Sequence, residues 1–202
     1  MKDLEKKNVF KVYDIVGDWF FENRSQSLME KDHLDSLISK LPANARILDL
    51  GCGTGKPIYE YLIHKKFKVV GVDASEKMIG IAKKNFPSGE FYVQDMRELA
   101  LNQKFDAIIA WHSFFHLQQP DQIEMFSKFK ELLFPNGLLL LTTGTEKTEV
   151  WSEINGKQLY HSSLSTEDYN ELLKKNNFEL INYTANDVHC GGATVWLAKY
   201  LP

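Results

Sequence analysis

Cysteine is scarce in this 202-residue chain: only Cys52 and Cys190 occur, far apart and without a neighbouring Cys. That spacing excludes a zinc knuckle or a Cys-x-x-Cys redox pair, and a reducing cytosol is the expected compartment. Long apolar runs are also missing. The longest, GLLLL at 137–141, falls far short of the ~20 residues a membrane span needs, and the charged start MKDLEKKN leads into no apolar signal core. A soluble, unexported chain with no membrane partner is therefore expected. An excess of one charge sign is lacking too. With 24 basic and 27 acidic residues the net charge is -3, which is not the positive field of a non-specific nucleic-acid binder. Repeats, low-complexity tracts and linkers are absent.

What remains is an ordinary globular composition, 44% hydrophobic and 25% charged, at a length that favours one domain over 1–202. Val9, Val12, Tyr13, Val16 and Phe20 share one helix face. Ser27 with Glu30 has the spacing of a capping box ahead of a second helix carrying Leu34, Leu37, Ile38 and Leu41 up to Pro42. Residues 1–42 are thus expected to form a helical cap of two helices, and 43–202 the core. From Arg46 the pattern changes to short apolar runs at 46–51, 68–73, 91–96, 107–112 and 138–143. Helical stretches separate them, opened by Pro57, Ser75 and Pro120 and the last stopped by Pro135-Asn136-Gly137. Alternating strand and helix specifies a doubly wound α/β fold with a parallel sheet. The rhythm loosens after residue 143, a capped helix begins at Ser165, and 178–188 and 194–201 read as an antiparallel pair around Cys190-Gly191-Gly192. The expected sheet has seven strands, mostly parallel, with one antiparallel member.

The loop Asp49-Leu50-Gly51-Cys52-Gly53-Thr54-Gly55 ends the first strand, where ligands bind in open α/β sheets. Its spacing is G-x-G-x-G, one residue shorter than the dinucleotide fingerprint, and Pro57 stands where a P-loop needs Ser or Thr. A carboxylate at Asp49 repels a pyrophosphate and attracts a ligand bearing ammonium and sulfonium charges; alternatively it bonds the amides of its own turn. Asp73, 24 residues on, ends the second strand near the offset at which an acid accepts ribose hydroxyls, and Ser75 relieves it of capping the next helix. Asp95, closing the third strand, suits an adenine amine with Met96 against the ring, or else forms a capping pair with Glu98.

ILDLGCGTG, GVDAS and QDM resemble the first three motifs of the class I S-adenosylmethionine-dependent methyltransferases. FDAIIAWHSFFHL, PNGLLLL, LYHSSL and GGATVWLAKY extend that resemblance over nearly the whole chain, toward a bacterial-looking branch. The resemblance implies a Rossmann-like methyltransferase fold, S-adenosylmethionine as cofactor and a small-molecule acceptor. It places Gly51 and Gly53 under the methionine moiety, Asp73 on the ribose, Asp95 and Met96 around the adenine, and Ala110 and Trp111 at the methionine end. Asp49, Cys52, Ala74 and Met78 complete the implied cofactor set. Trp111-His112-Ser113 replaces the Asn- or Asp-Pro-Pro-Tyr of nucleic-acid amino methylases, which argues against that substrate. The alternatives are a protein that binds the cofactor or its demethylated product without turnover, and a protein or nucleic-acid methyltransferase.

Methyl transfer is an in-line displacement in which alignment supplies much of the rate, and a base helps only a protonated nucleophile. His112 and His116, just past the fourth strand, are the candidate catalytic residues, His112 being nearer the strand end. No third ligand accompanies them, so no metal is expected. His161 and His189 are weaker candidates. Tyr13, Trp19, Phe20, Trp111, Phe114, Phe115 and Tyr160 either wall an acceptor pocket or fill the core. The two N-terminal helices are either a mobile lid over it or a permanently docked pair.

Overall fold

Both faces of the central strands are apolar, as a parallel sheet covered by helices on each side requires. In the computed structural model, which describes residues 2–202, Leu48 and Leu50 face one core while Ile47 faces the other, following the two-residue alternation of a strand. The strands are β1 (Arg46–Leu50), β2 (Lys68–Asp73), β3 (Glu90–Val93), β4 (Phe105–Ala110), β5 (Leu133–Thr143), β6 (Thr148–Ile154), β7 (Lys157–Ser163), β8 (Phe178–Asp187) and β9 (Ala193–Tyr200). The helices are α1 (Lys2–Lys7), α2 (Phe10–Asn23), α3 (Lys31–Ile38), α4 (Ile58–His64), α5 (Glu76–Asn85), α6 (Gln119–Leu132) and α7 (Thr166–Lys175).

Seven strands form one sheet in the order β3-β2-β1-β4-β5-β9-β8, with β9 running antiparallel to both neighbours. Met125, Phe126 and Phe129 of α6 and Tyr169 and Leu173 of α7 cover one face; Leu34 and Leu37 of α3, Ile58 and Leu62 of α4 and Ile79 of α5 cover the other. Ser75 caps α5 by accepting from the Met78 amide, and Ser165 with Asp168 closes a capping box on α7. Among the described residues no helix is long and apolar enough to cross a membrane.

Three features differ from the sequence expectation. Three helices, not two, precede β1, because the short α1 carries charges suited to the helix dipole in place of an apolar face. The capping box at Ser27 and Glu30 does not form: Ser27 Oγ bonds Ser25 Oγ, and Glu30 is buried at the start of α3 without capping it. The loosened stretch is a second sheet, the hairpin β6–β7, turned by Asn155 and Gly156 with φ of 44° and 72°. Those are the two positive φ values of a two-residue hairpin turn, and Asn-Gly is its characteristic pair.

Candidate functional site

The glycine loop turns so tightly that the amides of Gly51 and Cys52 both donate to the Val72 carbonyl, at 2.7 and 3.0 Å. Gly51, Gly53 and Gly55 have φ of 78°, 54° and 79°, in the left-handed region that favours glycine. A Cβ on Gly51 would lie 2.2 Å from Cβ of Ser113, whose hydroxyl donates to the Leu50 carbonyl at 2.6 Å. At Gly53 a Cβ would meet nothing within 4 Å, because it would project into open space.

Asp73 braces this loop, its two carboxylate oxygens accepting from the amides of Gly53 and Ser75, each at 2.9 Å. Burial, with Asp14 nearby, pushes its pKa up to about 6 despite those bonds. Asp49 is different. It is 3% exposed, and among the described residues its carboxyl accepts no hydrogen bond, so it does not serve the amides of its own turn. Burial first, then Asp73 and Glu30, push its pKa up to about 7. A buried carboxyl without a donor is costly unless something else supplies one.

One cleft runs along the C-terminal ends of β3, β2, β1 and β4. Asp49, Gly51, Cys52, Gly53, Asp73, Ala74, Met78, Asp95, Met96, Trp111, His112 and His116 all line it. Ala110 does not line it; it is the last residue of β4, fully buried opposite Leu141. The strand order fixes the sequence of groups along the cleft: Asp95, then Asp73, then Asp49 with the glycines, then Trp111 and His112. Three inter-strand steps of about 4.8 Å make that row roughly 14 Å long. At one end Asp95 is held by Arg97, whose amide and Nε both donate to Oδ1 at 2.9 Å and whose guanidinium also reaches Oδ2. The Arg97 pairing holds the Asp95 carboxyl below the usual carboxylate range against its burial, and one lone pair on Oδ2 stays open. At the other end Trp111 Nε1 is buried without a partner.

His112 takes a left-handed φ of 49°, and its amide donates to Thr142 Oγ1 at 2.8 Å. Burial, reinforced by the positive charge of Arg24, lowers its imidazole pKa to about 4. His116 is bonded at both ring nitrogens, Nδ1 to the Tyr160 carbonyl and Nε2 to the Tyr13 hydroxyl, each at 2.9 Å. A carbonyl only accepts, so Nδ1 carries the proton and Tyr13 donates to Nε2. Burial lowers the His116 pKa to about 3 and raises that of the Tyr13 phenol. His161 bonds Ser152 Oγ at 2.8 Å and stacks on Phe115, away from the cleft lining, and His189 is exposed beyond β8. Among the described residues no group of three or more His, Cys, Asp or Glu is placed to hold a metal.

Helix α2 roofs the cleft with Tyr13 and Phe20. Asp14 fastens it, accepting from Ser75 Oγ at 2.7 Å and the Lys77 amide at 3.3 Å, and Asp18 pairs with Lys77 at 2.6 Å. Of the other aromatics, Trp19 is partly exposed, Phe114 fills the core and Tyr160 packs with Val9 under the hairpin. Sequence reasoning missed Arg24 and Arg97, which also line the cleft. Arg24 lies four residues after Phe20 on the same helical face, a usable signal; nothing in the local pattern marks Arg97.

A family model described as a methyltransferase domain matches residues 47–137. YqeM of Bacillus subtilis (strain 168), named as a methyltransferase, is 41% identical over 108 residues, which are 50% of this chain and 43% of that protein. The chain thus spans less than half of YqeM's length. An uncharacterized protein of Haemophilus influenzae is 30% identical over 176 residues, 75% of this chain and 67% of its own. Among solved structures, SAM-bound CalS10, an amino pentose methyltransferase from Micromonospora echinaspora, aligns with a TM-score of 0.69 over 88% of this chain and 92% of its own, at 17% identity. That last likeness is one of fold.

Proposed function

From the match of residues 47–137 to a methyltransferase-domain model, we propose that the chain is a class I S-adenosylmethionine-dependent methyltransferase that transfers a methyl group to a small-molecule acceptor. The observation that carries this reading is Asp49, a buried carboxyl with no protein donor, facing the cleft beside the open space over Gly53. A ligand bearing an ammonium group supplies the missing donors, and a pyrophosphate does not. The rest of the row fits the same ligand. Asp95 keeps one lone pair for an adenine amine, Met96 supplies an apolar surface, and Asp73 offers its remaining lone pairs to ribose hydroxyls. S-adenosylmethionine, when bound, supplies a methyl group already activated by the sulfonium.

The chain's own residues then orient the acceptor and take its proton. His112 faces the cleft, and with its pKa at about 4 it is unprotonated at neutral pH, as a base must be. His116 has both nitrogens engaged, so its part is to hold Tyr13. The α2 roof with Tyr13 and Phe20 excludes water and leaves room for a compact acceptor better than for a polymer. CalS10, by its name, acts on an amino pentose, which is consistent with that size class. Incubating the protein with S-adenosylmethionine tritiated in its methyl group and a small-metabolite extract tests the reading. Label should enter a small-molecule fraction and be lost in His112→Ala. Cofactor binding without any transfer to extract, peptide or nucleic acid would leave the non-catalytic binder as the correct reading.

A further inference from the structure

The tyrosine that roofs the cleft has no hydrogen to offer into it. His116 Nδ1 donates to the Tyr160 carbonyl, so Nε2 is the accepting side of the ring and takes the Tyr13 hydrogen, each bond being 2.9 Å long. Burial of the phenol keeps that hydrogen in place by raising its pKa. Tyr13 lines the cleft, and its oxygen has lone pairs alone to present there. His112 is a second acceptor. Its amide is spent on Thr142, while among the described residues neither ring nitrogen has a hydrogen-bond partner. The ring lines the cleft and, with its pKa lowered to about 4, is uncharged at neutral pH, so one nitrogen only accepts.

These two acceptors belong to one wall. The rings of Tyr13 and His116 lie 5.6 Å apart, those of His116 and Phe115 4.9 Å, and those of Phe115 and His112 5.7 Å, centroid to centroid. The single 3-10 turn Phe114–His116, directly after His112 and Ser113, brings them side by side.

A nucleophile seated against this wall meets two lone pairs, and its own hydrogens then set its class. A hydroxyl has one hydrogen, so it serves one acceptor and leaves the other bare; as an oxyanion it has none and needs donors or a cation. Tyr13 has no hydrogen left for it. The charge of Arg24 acts on His112, but it acts as well on the buried acids Asp49 and Glu30, which offset it. A neutral primary amine carries two N–H groups and a lone pair. Both hydrogens find an acceptor, and the lone pair stays free for bond formation without any proton being removed first.

We propose, resting on small-molecule methyl transfer as the activity of this cleft, that the acceptor is a primary amine held by its two N–H groups between the Tyr13 oxygen and His112. The amine lone pair forms the N–C bond as the C–S bond breaks, and the electron pair of that bond goes to sulfur. The positive charge passes from sulfonium to nitrogen. The extra proton of the methylammonium then leaves through His112 to water, giving a secondary amine and S-adenosylhomocysteine.

A metabolite extract divided in two tests this assignment. One half is treated with acetic anhydride at neutral pH and then with hydroxylamine, which leaves amines acetylated and frees hydroxyls and thiols again, and both halves are cleared of reagent. Each is incubated with wild-type protein and S-adenosylmethionine tritiated in its methyl group. The untreated half should give labelled product that a cation exchanger holds at acid pH and that alkali does not hydrolyse; the acetylated half should give none. Equal labelling of the two halves would assign the methyl to another kind of atom and overturn the proposal, while small-molecule transfer would stand. No label in either half, from protein that binds S-adenosylhomocysteine in a calorimetric titration, would overturn the transfer reading and the amine together. Tyr13→Phe, folded by circular dichroism and saturated with S-adenosylmethionine, should label the amine fraction about 2- to 12-fold more slowly, the loss of one neutral hydrogen bond. An unchanged rate in that variant would remove one of the two acceptors and overturn the primary-amine assignment.

Discussion

The Tyr13 hydroxyl donates to Nε2 of His116 across 2.9 Å, joining roof helix α2 to the loop after β4. Since the Tyr160 carbonyl fixes the proton on Nδ1, the Tyr13 hydrogen is already given to His116, and the phenol oxygen offers only lone pairs to anything in the cleft. Tyr13→Phe removes the donor and leaves a buried imidazole nitrogen without a partner. The expected loss of stability is about 1–3 kcal/mol, read from urea midpoints. An unchanged midpoint would mean that water replaces the phenol at no cost and that the bond does not hold the roof.

Asp73 has two tasks on one side chain, bracing the amides of Gly53 and Ser75 and facing the cleft. Asp73→Ala should lower S-adenosylhomocysteine affinity by roughly 10- to 150-fold while circular dichroism shows a folded chain. Full affinity in a folded variant would remove Asp73 from the ligand contacts.

Stability should depend on pH through two opposed sets of groups. Asp49 and Asp73 keep their protons in the fold up to about 7 and about 6, against ordinary values of 3.8. In that interval the unfolded chain holds fewer protons, so their contribution is complete below pH 3.8 and is lost as pH rises through 6 and 7. His112 and His116, lowered to about 4 and about 3 from 6.5, contribute fully above pH 6.5 and lose that contribution as pH falls toward those values. Asp49→Asn should therefore stabilise the ligand-free protein at pH 8 by on the order of 1 kcal/mol or more, with little gain at pH 4. Denaturation at both pH values checks this; a gain independent of pH would assign the effect to packing.

Asp14 bonds the N-terminal turn of α5 through Ser75 Oγ and the Lys77 amide. Asp14→Ala should loosen the roof and speed amide exchange in 10–23 without changing exchange in 46–50, since α2 adds no strand to the sheet. If residues 10–23 exchange equally slowly in wild type and variant, with and without ligand, α2 is a permanently docked element.

The strands that build the cleft were legible because each is a short apolar run with turn residues at its end, and the acids came with them: Asp49 one residue before the end of β1, Asp73 at the end of β2 and Asp95 two residues past β3. The hairpin β6–β7 was not read as strands. Most of its first strand is exposed, so no two-residue alternation appears, and only Asn155-Gly156 marked it. Ser27 and Glu30 carried the right letters for a capping box, but α3 starts at Lys31, so Glu30 and not Ser27 occupies the cap position, and its side chain is buried without bonding the helix amides. The spacing of His112 and His116 was visible, whereas what separates their roles was not: Tyr13 reaches His116 from 103 positions away. Arg24 continues the spacing of Tyr13, Val16 and Phe20 one residue past the end of α2, whereas Arg97 belongs to no periodic pattern, and only the folded arrangement brings it to the cleft.

Gly51 and Gly53 of the loop, alike on paper, would part company in a sorted library. Pass a pool of variants at positions 51 and 53 first through a screen for folded protein, then through capture on an immobilised cofactor analogue. Position 51 should be emptied at the first gate, since the first carbon of any side chain would fall 2.2 Å from Ser113 Cβ. Position 53, with nothing within 4 Å, should pass that gate with Asn or Asp, which tolerate its φ of 54°, and be emptied at the second. Tolerance at each residue would then record whether it faces the rest of the chain or the space reserved for a guest.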